Sequence, residues 1–146
     1  MLRLMALTMA AVLIACGGSS TAPTTLNIAG TWNFSDAVSN NALTASCNST
    51  STATVSQTGS SFTATANNGT SGCTQNGLVF ISYQPSAVIS GGQINGTGLS
   101  FVDDHGCSYT GNISGTPPNR LSGSESCTIS SSGAQYIFLG TWQAAR

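Results

Sequence analysis

Charge is what this chain has least of. Three of its 146 residues are Lys or Arg and four are Asp or Glu, and lysine is absent altogether. A nucleic-acid-binding surface needs a basic footprint, and Arg3, Arg120 and Arg146 cannot supply one. Zinc-ligand spacing is missing as well: there is no Cys-x2-Cys pair, and His105 is the single histidine. Serine is abundant, but no Gly-x-Ser-x-Gly elbow marks a nucleophile. No heptad and no convincing helical period occurs beyond residue 15. These absences leave no catalytic constellation, no metal site and no cofactor motif to expect. Sparse charge by itself would also suit a disordered chain. Here 40% of the residues are hydrophobic and they alternate with Ser, Thr and Asn, which is a β pattern.

The N-terminus departs from that pattern. Arg3 precedes an apolar run from Leu4 to Ala15 broken only by Thr8. The run is too short to span a bilayer, which needs roughly 20 apolar residues. A positive start, a short apolar stretch and small residues at its end form a signal-peptide pattern. Leu13-Ile14-Ala15-Cys16 resembles the lipobox of bacterial lipoproteins. The resemblance implies that residues 1–15 are removed and that Cys16 becomes an acylated N-terminus, anchored in the membrane of the cell envelope. Several acyl chains anchor stably, because each buried CH2 contributes about 0.8 kcal/mol while one chain alone is marginal. Gly17, not Asp, follows Cys16, which by the same resemblance implies outer-membrane sorting and leaves the membrane face open. Residues 17–26 read as a flexible tether with an r.m.s. reach of about 17 Å. Residues 27–146 then form one domain, large enough for a single core. Without the leader, Arg120 and Arg146 stand against Asp36, Asp103, Asp104 and Glu125.

With Cys16 assigned to lipid, Cys47, Cys73, Cys107 and Cys127 remain. An even set in an oxidising compartment implies two disulfides, and strand register chooses among the three pairings. Around the turn Thr116-Pro117-Pro118, alternation sets Ile113 against Leu121, Gly111 against Gly123, Tyr109 against Glu125 and Cys107 against Cys127. Directly opposed side chains lie close enough to bond. Gln57-Thr58-Gly59-Ser60 reads as a tight turn that sets Val55 against Phe62 and Ala53 against Ala64. Extending this pair brings Cys47 to Cys73 if Asn68-Gly69 forms a bulge. Gly91-Gly92 reads as a two-residue turn with Ile89 opposite Ile94. Each disulfide then staples adjacent strands and contributes roughly 3 kcal/mol in the loop-entropy model.

Eight strands follow: 28–35, 43–57, 60–67, 78–90, 93–102, 107–115, 119–130 and 135–146, the fourth bent at Pro85. A meander of eight short antiparallel strands closes into an up-and-down barrel, because closure removes both edges. A two-sheet β-sandwich is the alternative. Gly30-Thr31-Trp32 opens the first strand, Gly140-Thr141-Trp142 lies in the last, and Arg146 ends it. A Gly-x-Trp on the first strand and a basic residue at the end of the last resemble the hallmarks of the calycins, the lipocalin- and avidin-like barrels. The resemblance implies that Gly30, Trp32 and Arg146 close one end, with Arg146 stacked over Trp32. The tryptophans that avidins carry on their middle strands are missing, so biotin binding is not implied.

Glu125 is the candidate polar residue of the interior. Alternation places it on the same face as Tyr109, Leu121 and Cys127, and an inward carboxylate is costly unless paired or hydrated. It is either a ligand contact or an interior glutamate bonded to Tyr109 or Arg146. No second inward acid aligns with it, so paired carboxylates for glycoside hydrolysis are not expected. Asp103-Asp104-His105-Gly106 is the one dense polar cluster; it reads as a four-residue hairpin loop, with a cation site or an acid/base group as the alternative. Tyr136, Phe138, Gly140, Trp142 and Ala144 face the core from the last strand. Elsewhere the inward positions are small, among them Ala53, Ala64, Ala66, Ala87 and Gly111. An eight-stranded barrel with such positions is either collapsed or holds one small ligand. The functional expectation is a non-enzymatic binding module for a small apolar or amphipathic ligand that meets Glu125, Tyr109 and Trp142. The alternative is a protein-binding lipoprotein, such as an inhibitor of an envelope hydrolase or a surface contact protein, working through loops 36–42 and 103–106 over a filled barrel. The sequence sets no oligomeric state.

Overall fold

Alternating Thr, Val, Ile and aromatic residues carry nearly all of the domain into strands, and no helix occurs among the described residues. The computed structural model describes residues 26–146 apart from 84, 85 and 132, so the leader, Cys16 and the tether up to residue 25 lie outside the described residues. The strands are β1 (Gly30–Asn40), β2 (Ala45–Thr58), β3 (Ser61–Gln75), β4 (Leu78–Tyr83), β5 (Ala87–Asn95), β6 (Gly98–Val102), β7 (Ser108–Ser114), β8 (Arg120–Ser131) and β9 (Ala134–Ala145). Each ring strand pairs antiparallel with its neighbours in the order β1-β2-β3-β5-β6-β7-β8-β9, and β9 returns to β1. The result is a closed eight-stranded antiparallel barrel, consistent with a calycin-like one, and the unbroken ring of pairings rules out the sandwich. β4 stands outside the ring, paired to Ser71–Gln75 of β3.

The β7–β8 hairpin has the register that alternation about Pro117 predicts: Ile113 faces Leu121, Gly111 faces Gly123 and Tyr109 faces Glu125. Cys107 and Cys127 are joined, as are Cys47 and Cys73. The second pair depends on the bulge at Asn68, which has a positive φ of 56° and lets Thr50 face Thr70 while Thr52 faces Asn67.

Other expectations need correction. The β2–β3 reversal is centred on Gly59-Ser60, so Val55 faces Ala64 and Ala53 faces Ala66. The faces survive because the partners move by two residues. β1 continues to Asn40, which converts most of the expected 36–42 loop into strand. β3 runs on to Gln75, and the expected fourth strand is two strands, one along each half of β3. Gly91-Gly92 is not a turn. Phe62 faces Gly92 and Ala64 faces Ile89, so β5 holds one extra residue there. A Cβ at Gly92 would overlap the Phe62 ring, which explains glycine inside a strand. The chain reverses later, between Asn95 and Gly98, where Gly96 takes a φ of 61° and Ile94 meets Leu99.

Candidate functional site

One end of the barrel is sealed by a self-contained set of contacts. Trp32 is 1% exposed, and its indole N–H donates to the Ile28 carbonyl at 2.8 Å. The Ile28 N–H donates to Gln57 Oε1 at 2.7 Å, and Gln57 Nε2 donates to the Leu26 and Gly59 carbonyls. Leu26 therefore belongs to the barrel and not to the tether. The Arg146 guanidinium lies 4.4 Å from the Trp32 ring centroid, the stacking that the Gly-x-Trp resemblance implies. It also donates to the carbonyls of Pro118, Ala29 and Asn27. A Cβ at Gly30 would come within 3.2 Å of the Arg146 guanidinium, so glycine suits this position for closeness as well as for its φ of 126°. Arg146 is thus committed at this end and does not bond Glu125.

Above this plug the interior is hollow, with a cavity of about 560 Å³. Ala53, Ala64 and Ala66 line one side, where their small side chains leave the space. Rings line another. Phe34 stacks on Trp142 with centroids 5.8 Å apart, Phe101 stacks on Tyr109 at 4.4 Å, and Phe62 and Trp142 each meet Phe101 edge-on. Trp142 is held against the β7–β8 wall, its indole N–H shared between the Thr110 and Ser124 carbonyls at 3.2 Å each. Gly111 and Gly123 make that approach fit: a Cβ on Gly111 would meet the Trp142 ring, and one on Gly123 would collide with the β7 backbone. Phe138, Trp142 and Ala144 are buried, while Tyr136 and Gly140 are half-buried. Ser86, His105, Thr128 and Ile129 also line the cavity and are exposed, which places its mouth on their side.

The end away from Trp32 carries the acids. Glu125 points inward and is only 5% exposed. It is not alone, contrary to the expectation: Asp36 of β1 and Asp103 of the β6–β7 loop line the same cavity. Alternation carries both there, through Trp32-Phe34-Asp36-Val38 on β1 and through Leu99-Phe101-Asp103 from β6. Asp36 accepts from the Ser49 N–H at 3.1 Å and from the Ser49 hydroxyl at 2.6 Å. Asp103 is not merely a turn residue. Its Oδ1 accepts from the His105 and Cys107 N–H groups, its Oδ2 accepts from the Tyr109 hydroxyl at 3.3 Å, and its side chain is 6% exposed. Asp104 faces outward, accepts from the Val88 N–H at 2.9 Å and lies 3.1 Å from the His105 ring, as the loop reading has it.

Glu125 has no comparable support. Its Oε2 is buried without a partner. The Cys127 sulfur lies 3.1 Å from Oε1, but a disulfide sulfur has no proton to donate. Burial pushes the Glu125 carboxyl up to about 7; the Asp36 and Asp103 charges add to the rise and the Tyr109 hydroxyl opposes it. Burial likewise raises Asp36 above its ordinary value, against the pull of Ser49, and raises the Tyr109 hydroxyl. The site can therefore hold or release a proton near neutrality. Among the described residues, Cys107, Glu125 and Cys127 form a group of metal-type ligands converging within 4.8 Å, but its two sulfurs are joined to each other and cannot bind an ion. Asp36, Asp103 and Glu125 do not converge within that distance.

No protein-family model, no curated protein and no solved structure matches the chain.

Proposed function

We propose that the protein is a lipid-anchored, non-enzymatic binding module of the cell envelope that holds one small amphipathic ligand inside its barrel. The observation that carries this reading is the cavity of about 560 Å³, with aromatic and alanine walls and polar groups gathered at one end. Ligand sites are typically concave, about 300–1,000 Å³, mostly apolar, and fitted with a few placed polar groups. A protein binder acting through loops needs no such hollow, and most of residues 36–42 are strand. The lipobox-like Leu13-Ile14-Ala15-Cys16 supports the anchor, and two disulfides suit an oxidising compartment.

Mass spectrometry of the protein extracted from its host's envelope tests both parts. The expected result is an acylated chain beginning at Cys16 that carries a further, non-covalent mass of a few hundred daltons, lost on denaturation. A soluble, unacylated chain would overturn the anchor. A bare mass that no added small molecule shifts would overturn the carrier.

A further inference from the structure

Resting on the carrier reading, we infer that the ligand is a cationic amphiphile: a protonated amine seated among Asp36, Asp103 and Glu125, with an apolar, preferably aromatic, body against the Phe34, Phe101 and Trp142 rings.

Two buried polar side-chain atoms lack a partner among the described residues, Glu125 Oε2 and Ser71 Oγ, and both residues line this one cavity. Buried polar groups in folded proteins are nearly always bonded, so two orphans facing one hollow point to a missing donor. The surroundings specify its charge. Three carboxylates line the cavity and no Arg or Lys does. Arg146 is committed to Trp32 and three carbonyls at the far end, and Arg120 is exposed and donates to Gln143. An anionic ligand would meet three acids and, among the lining residues, no Arg or Lys to offset them. A neutral apolar ligand would fill the hollow and leave Glu125 unpaired.

Geometry separates an organic cation from a metal ion. A single ion needs its ligands gathered around one point, and these carboxylates do not converge. An alkylammonium also gathers its acceptors around one atom, but at about 2.7–3.2 Å, against about 2.0–2.6 Å for a hard metal ion, so it suits a wider ring of oxygens. The ring faces beside the acids add a favourable surface for a cation. Asp36 and Asp103 already accept from donors of their own, whereas Glu125 Oε2 has no partner. Glu125 therefore stands to gain most from the ligand.

Acidity should govern the binding. Glu125 is influenced by Asp36 from β1, Asp103 from the loop and Tyr109 from β7, and shares the cavity with Ser71 of β3, with the His105 side chain 61% exposed at the mouth and the disulfide sulfurs unable to titrate. Protonating the acids removes the attraction and creates none.

The test uses the full chain, solubilised from membranes, with tryptophan fluorescence as readout. The probes are phenylbutylamine, phenylbutanol and phenylbutanoate, which share one body and differ in the head. At pH 8 the amine should bind at least about tenfold more tightly than the alcohol, in line with a hydrogen bond to a charged group, and the acid should bind weakest. The margin of amine over alcohol should shrink several-fold by pH 5. Glu125→Gln should abolish most of that margin, and an unchanged circular dichroism spectrum reports that the variant is folded. Equal binding of amine and alcohol, or preference for the acid, would overturn the cationic ligand and leave the carrier reading standing. Failure of all three probes would overturn both.

Discussion

Around Trp32, donors and acceptors match: the indole meets Ile28, Gln57 meets Leu26 and Gly59, and Arg146 meets three carbonyls and a ring face. Around Glu125, acceptors outnumber donors, and two buried polar atoms have nothing to bond. The covalent reinforcement is distributed the other way. Both disulfides lie in the Glu125 half, where Cys47, Cys73, Cys107 and Cys127 line the cavity with the acids, while the Trp32 end holds by packing and hydrogen bonds without a cross-link. One end is complete in itself. The other is hollow, and cross-links suit such a place because they stabilise without filling space.

The contrast can be broken most severely at the packed end. Trp32→Ala should destabilise the domain by about 3–5 kcal/mol, the usual effect of truncating a large buried aromatic, and should also strip Arg146 of its ring. Urea denaturation reads this; a loss below about 1 kcal/mol would mean that the plug is not structural. Next in size, Cys107→Ser combined with Cys127→Ser should cost roughly 3 kcal/mol by loop entropy for a separation of 20 residues. Hydrogen exchange should show the loosening confined to loop 103–107 and the far half of β8, with the amides near Trp32 still protected. Loosening spread over both ends would abolish the distinction.

The smallest effect has the opposite sign. Folding raises the Glu125 carboxyl from its ordinary 4.5 to about 7. The folded state is therefore penalised as pH rises above 4.5, fully so above 7, by up to about 3 kcal/mol from the size of the shift. Glu125→Gln keeps the shape and removes the charge. It should stabilise the ligand-free protein by on the order of 1–2 kcal/mol at pH 8, allowing for the amide's own desolvation, and by less than about 1 kcal/mol at pH 5. Denaturation midpoints of both proteins at the two pH values measure this. A gain independent of pH would mean that the carboxyl is not charged in the fold at pH 8.

How much of this was legible depends on whether the determinants are local. The Cys107–Cys127 pairing is readable because strict alternation on both sides of Pro117 fixes the register without reference to the rest of the molecule. The bulge that aligns Cys47 with Cys73 is readable because Asn-Gly supports an unusual φ. Gly91-Gly92 misleads for the reverse reason. Two glycines serve a turn or a bulge equally well, and the choice rests on the Phe62 ring, thirty residues away in sequence. The acid cluster was half legible. Glu125 sits in mid-strand, where alternation is plain. Asp36 and Asp103 sit where the local sequence also fits turn chemistry, and only the length of β1 and the burial of the Asp103 side chain show them to be interior.

The entry of the chain at Leu26, beside Gln57 and the Trp32 plug, has a directional consequence. Any attachment upstream of that residue takes hold of the barrel by its closed base. On the barrel itself that base lies at the end opposite the mouth at Ser86, His105 and Ile129.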